Sequence, residues 1–122
     1  MQAHIVRPDP QQEYAFVAEG CCILECWNDP DDPQASIARA RVKAAVSTRW
    51  HALTGITERY LILSGSGRVE IGDKSPEDVG PGDVVVIPPG MRQRITNNGT
   101  DDLVFYAICT PRFSSECYAA LE

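Results

Sequence analysis

No apolar run in this sequence approaches the roughly 18 residues that cross a bilayer as a helix, which sets a helical membrane protein aside. The opening, MQAHIVRPDPQQEY, lacks the apolar stretch of a secretory signal, so cytoplasmic residence is expected. Clustered basic residues are also missing. With a formal charge of -6 and no basic tract, the chain lacks what nucleic acid or an anionic membrane surface requires of a partner. There is no Cys-x-x-Cys pair among the five cysteines, Cys21, Cys22, Cys26, Cys109 and Cys117. On a strand, Cys22 and Cys26 stand roughly 13 Å apart, too far for a disulfide. Free, partly buried thiols are expected, with a zinc or redox role as the alternative. Gly-x-Ser-x-Gly is absent, and Ser64-Gly65-Ser66-Gly67 is a turn between strands, because no helix follows it to offer an N-terminus to phosphate. His4, the first of only two histidines, falls in the opening segment and is expected at the surface.

What is present describes one compact all-β domain. A chain of 122 residues, 43% apolar and 23% charged, buries about two-thirds of its unfolded surface, enough for one core. No repeat or low-complexity tract divides it. Residues 1–35 are expected to form a lead-in and first strand, residues 36–112 a β-barrel, and residues 113–122 a tail or short helix. GCCILECW is β-rich, and the prolines and aspartates of NDPDDPQ end it. In SIARARVKAAV, Ala38, Ala40, Val42 and Ala44 alternate with Ile37, Arg39, Arg41 and Lys43, as in a half-buried antiparallel strand. ERYLILSG and RVEIGD follow, then VVVIPPG, whose unbroken apolar run suits burial on both faces. Asn97-Asn98-Gly99 marks a hairpin between MRQRIT and LVFYAIC. Many short strands without helical periodicity predict a small double-sheet barrel of jelly-roll type.

Two stretches, RWHALTGITERYLILSGSG (Arg49–Gly67) and PGDVVVIPPGMRQRITNNG (Pro81–Gly99), resemble the two motifs of the cupin superfamily. Its first motif reads His-x-His, a gap, Glu, then a strand ending in Gly. Here Arg49 and His51 occupy the histidine places, and Glu58 lies seven residues before Gly65. The gap from His51 to Glu58 is longer than the family uses. Its second motif reads Pro-x-Gly, two residues, His, three residues, Asn, matched here by Pro88, Gly90, Gln93 and Asn97. The resemblance implies a double-stranded β-helix barrel with a pocket inside and pairing of chains into a homodimer.

Strand parity nominates the pocket. If Glu58 points inward, so do Tyr60 and Ile62, while Arg59, Leu61 and Leu63 face out. The same rule groups Arg49, His51 and Leu53, and separately Gln93 and Ile95, with Arg92 and Arg94 outward. His51, Glu58 and Gln93 are then candidate ligands for a divalent zinc, nickel, manganese or iron ion. Arg49 stays protonated and cannot ligate. A loaded site carries excess positive charge and asks for an anion. Without metal, Arg49 pairs with Glu58 while His51 and Gln93 complete a neutral network. Both states remain open on the sequence alone.

The functional expectation is a small-molecule-binding cupin, in one form a metal-dependent isomerase or epimerase acting on an acidic or phosphorylated molecule. Glu58 and Tyr60 are the candidate catalytic groups, and Arg49, Tyr60 and Gln93 the candidate substrate contacts. The alternative is a metal-free, non-catalytic binding or sensing module. Leu61 and Leu63 mark the sheet face expected to pair two copies.

Overall fold

A computed structural model describes all 122 residues. It contains eleven strands: β1 (Tyr14–Phe16), β2 (Cys21–Trp27), β3 (Ser36–Val42), β4 (His51–Leu53), β5 (Thr57–Ser64), β6 (Gly67–Ile71), β7 (Glu77–Val79), β8 (Val84–Ile87), β9 (Gln93–Asn97), β10 (Leu103–Thr110) and β11 (Tyr118–Ala120). They form two antiparallel sheets, ordered β1-β2-β3-β10-β5-β8 and β11-β4-β9-β6-β7. This is the expected all-β double-stranded β-helix. No helix is long and apolar enough to cross a membrane.

The barrel core lies between the sheets and is built by alternation. In β5, Glu58, Tyr60 and Ile62 are buried while Arg59 and Leu61 are only partly covered and Leu63 is exposed. In β9, Gln93, Ile95 and Asn97 are buried and Arg94 and Thr96 half-buried. Phe105, Ile62, Ile87, Ile95 and Leu103 are each at most 2% exposed and anchor one cluster. A smaller cluster of Leu53, Ile56 and Cys109 closes one end, with Phe113, Cys117 and Tyr118 against it. The long gap between His51 and Glu58 feeds that cluster. It turns through Gly55 at φ +74° and plugs Ile56, 1% exposed, into the barrel end.

The sheets reach beyond residues 36–112. β1 and β2 extend the larger sheet, and the expected tail supplies β11, whose Tyr118 and Ala120 pair with Leu53 and His51 of β4. A single turn of 3-10 helix, Ser115–Cys117, leads into it. All five cysteines are free thiols. His4 is exposed and leans on the Trp27 ring at 5.2 Å.

Two motif residues prove architectural. Gly65 adopts φ +84°, and a Cβ there would stand 2.5 Å from the Asp102 carbonyl oxygen, so the strand end admits only glycine. Asn97, fully buried, donates from Nδ2 to the carbonyls of Val42 and Asp101 at 2.9 and 2.8 Å, and its Oδ1 accepts from the Gly99 amide at 2.9 Å. It ties three segments together where water cannot serve them.

Candidate functional site

His51 and Gln93 face each other across the β4–β9 pair in the smaller sheet. Glu58 and Tyr60 come from β5 in the larger one, where Glu58 sits opposite Cys109. The barrel therefore brings four of the five sequence-nominated residues together. His51 and Gln93 are 1% exposed, Tyr60 3% and Glu58 8%.

Arg49 is the correction. Its side chain is exposed and lines none of the cavity. β4 begins only at His51, and the preceding residues are held irregularly: the Thr48 amide donates to Ile95 and the Arg49 amide to Glu19. Strand alternation therefore does not reach back to Arg49, and the expected Arg49–Glu58 pair does not form.

Glu19 occupies the place expected for Arg49. It lies in the turn before β2, and its Oε1 is 3.1 Å from His51 Nε2. His51 Nδ1 donates to the Arg49 carbonyl at 2.8 Å. Both ring nitrogens thus face oxygens: the Arg49 carbonyl can only accept, so Nδ1 carries a proton, and Nε2 faces the Glu19 carboxyl. Glu19 Oε2 also accepts from the Cys21 thiol at 3.1 Å. His51 stacks on Tyr118 with ring centres 5.2 Å apart and planes 15° from parallel. No motif spacing marked Glu19 or Tyr118. The only sequence signal was a carboxylate beside Gly20 at the head of an apolar strand and a tyrosine in an apolar tail.

The Tyr60 hydroxyl donates to Gln93 Oε1. Glu58 has little company: the Cys109 thiol points at its Oε2 from 3.8 Å, its Oε1 is buried with no hydrogen-bond partner, and Gln93 Nε2 is likewise unpartnered. Burial pushes the Glu58 carboxyl up to about 8, and the negative charge of Glu19 adds to the rise. Gln93 and Cys109 pull the other way without closing a short hydrogen bond. Burial also holds the Tyr60 hydroxyl well above its ordinary value, so it stays protonated and remains the donor to Gln93.

Glu19, His51, Glu58, Tyr60, Cys109 and Tyr118 border a cavity, whose lining also includes Tyr14 and Phe16 of β1 and Phe113, and from which Gln93 is absent. It offers about 60 Å³ to the centres of water-sized spheres, against the roughly 10–15 Å³ that one water needs. Phe16, Ile23, Phe105 and Ala107 give it apolar walls; Glu19, His51, Glu58 and Tyr60 supply polar groups.

A metal ion fits this donor set poorly. No group of three or more His, Cys, Asp or Glu side chains is arranged to hold one. Of the three expected ligands, His51 has both nitrogens engaged and the Gln93 oxygen takes the Tyr60 hydroxyl. Only Glu58 has a free oxygen, and a lone carboxylate is not a transition-metal site.

A two-sheet antiparallel barrel of this kind belongs to the jelly-roll class. The cupin domain model matches residues 39–109, and the chain belongs to the cupin family. No curated protein matches it at the level of sequence. Among solved structures it is similar to a predicted oxalate decarboxylase from Thermotoga maritima, with 21% identity, 88% of this chain and 99% of that one covered, and a TM-score of 0.78. KdgF from Halomonas sp. aligns at 16% identity over 90% of this chain and 96% of its own, with a TM-score of 0.75. Oxalate decarboxylase from Bacillus subtilis reaches a TM-score of 0.78 at 19% identity over 98% of this chain, which spans 33% of that longer protein. At such identities the likeness is one of fold.

Proposed function

We propose that this cupin is a small-molecule-binding module whose cavity takes its ligand directly, without a metal ion between ligand and protein. One observation carries the reading: a buried, unpartnered carboxyl oxygen, Glu58 Oε1, belongs to a residue that lines a mostly apolar cavity. Buried polar atoms are nearly always satisfied, and a ligand donor is the partner this one lacks. An apolar wall with a few convergent polar groups is the usual composition of a ligand pocket. An acidic or phosphorylated ligand held by Arg49 finds no support in the cavity lining, which contains no lysine or arginine.

Ligand-observed NMR with small aromatic alcohols and amines as probes, recorded in EDTA, is the test. Binding is expected, and so is its loss when Ala107→Phe fills the cavity. Binding that appears only after zinc, nickel, manganese or ferrous iron is added contradicts the metal-free reading.

Proton-transfer catalysis of the isomerase or epimerase kind is the second reading. It is favoured by the Glu58 carboxyl, which titrates near 8 beside the Tyr60 hydroxyl donor, close to where a general acid or base works best at neutral pH. The homodimer belongs to the same proposal. Leu63, Val84 and Val86, 39%, 59% and 58% exposed, lie on adjacent strands at the β8 edge of the larger sheet, and a two-fold partner would cover them.

A further inference from the structure

The ionisable lining of the cavity is acidic. Three lining residues carry carboxyls, Glu19, Glu25 and Glu58, and none carries an ammonium or guanidinium. Glu19 is committed to His51 and the Cys21 thiol. Glu58 is not: its side chain is more than nine-tenths buried, and Oε1 meets no donor. The Tyr118 hydroxyl oxygen, also on the cavity wall, is a second buried atom without a partner. Around them the wall is aromatic, with Phe16 5.2 Å from Tyr118 and Tyr118 stacked on His51. A buried acceptor without a donor is costly. A buried negative charge without a counter-charge is costlier still, which keeps Glu58 neutral, and a cationic ligand would supply the counter-charge that lets it ionise. Aromatic faces, for their part, attract cations. Donor, counter-charge and cation on an apolar body are three properties of one ligand group.

We propose that the ligand of this cavity is an organic amine, held as its ammonium with an N–H donated to Glu58 Oε1 and its apolar body against Phe16 and Tyr118. This rests on the small-molecule reading of the cavity and adds the sign of the ligand's charge. A carboxylate or phosphate entering the same space meets Glu25 at the mouth and Glu19 and Glu58 further in. Arg112 lies outside the cavity lining, its Nε donating to Asn28 Oδ1 at 2.8 Å. An alcohol of the same shape supplies a donor but no charge, and charge-assisted hydrogen bonds are the stronger kind.

Calorimetric titration of the full chain with benzylamine, benzyl alcohol and benzoate in one buffer tests the proposal. Benzylamine is expected to bind about tenfold or more tightly than benzyl alcohol, the increment of one charge-assisted hydrogen bond, with benzoate weakest. Glu58→Gln should remove most of that advantage and leave the alcohol nearly unchanged, and Glu25→Gln should weaken benzylamine by a smaller factor. The ratio of amine to alcohol is read on the unaltered protein, so the result stands even if a variant fails to fold. Equal binding of amine and alcohol, or tighter binding of benzoate, overturns the amine while leaving a small-molecule site. Absence of binding by all three overturns both.

Discussion

Replacing Glu58 by glutamine removes a buried ionisable group without changing its shape, and the structure dictates how stability should respond to pH. The folded carboxyl holds its proton up to about 8, against an ordinary 4.5. The unfolded chain releases that proton above 4.5, so in the window between the two values unfolding frees a proton and stability falls as pH rises. At about 1.4 kcal/mol per pH unit, the full rise from 4.5 to 8 corresponds to roughly 5 kcal/mol, of which about 3 kcal/mol is already lost at pH 7. The glutamine variant keeps an unpartnered polar atom at the same place, so its net gain is smaller, about 2 kcal/mol at pH 8. For a chain of this length that is a rise of very roughly 5–10 °C in Tm. Urea or thermal unfolding of both proteins at a series of pH values provides the assay. Every other titrating group is shared, so the difference between the curves reports Glu58 alone. The difference between the curves should shift steadily in the variant's favour from pH 4.5 to pH 8, with the variant above at pH 8. Parallel curves would refute the claim that a desolvated carboxyl sits in the barrel.

Three further expectations follow from particular contacts. Phe105→Ala empties the centre of the larger core cluster and should cost about 3–5 kcal/mol in denaturant unfolding. Gly65→Ala forces a Cβ against the Asp102 carbonyl at a positive φ; a loss of about 2 kcal/mol or more is expected from calorimetry. Light scattering should give about twice the chain mass of 13.4 kDa, and a charge placed on the exposed apolar patch by Val86→Lys should return the monomer.

Sequence periodicity located most of the site because it lies on well-formed strands. Alternation over β5 and β9 places Glu58, Tyr60, Gln93 and Ile95 inside, and burial agrees at each position. The same rule failed at Arg49, two residues before His51, because β4 is only three residues long and the chain ahead of it is bonded to Glu19 and Ile95 rather than in strand register. Period-two reasoning holds only where a ladder enforces the pleat. Glu19 and Tyr118 were illegible for a related reason. One sits in a turn and the other on a short closing strand, and only the tertiary fold carries them to His51. The lining thereby differs from the expected guanidinium beside one carboxyl: it holds three carboxyls and His51, with no lysine or arginine.

A crystal structure of the protein after incubation with both zinc and benzylamine tests the central claim most directly. The account predicts amine density in the cavity, its nitrogen within hydrogen-bonding distance of Glu58 Oε1, and His51 still turned to Glu19. A zinc ion joining His51 to Glu58 and Gln93, with no amine in the cavity, would contradict it.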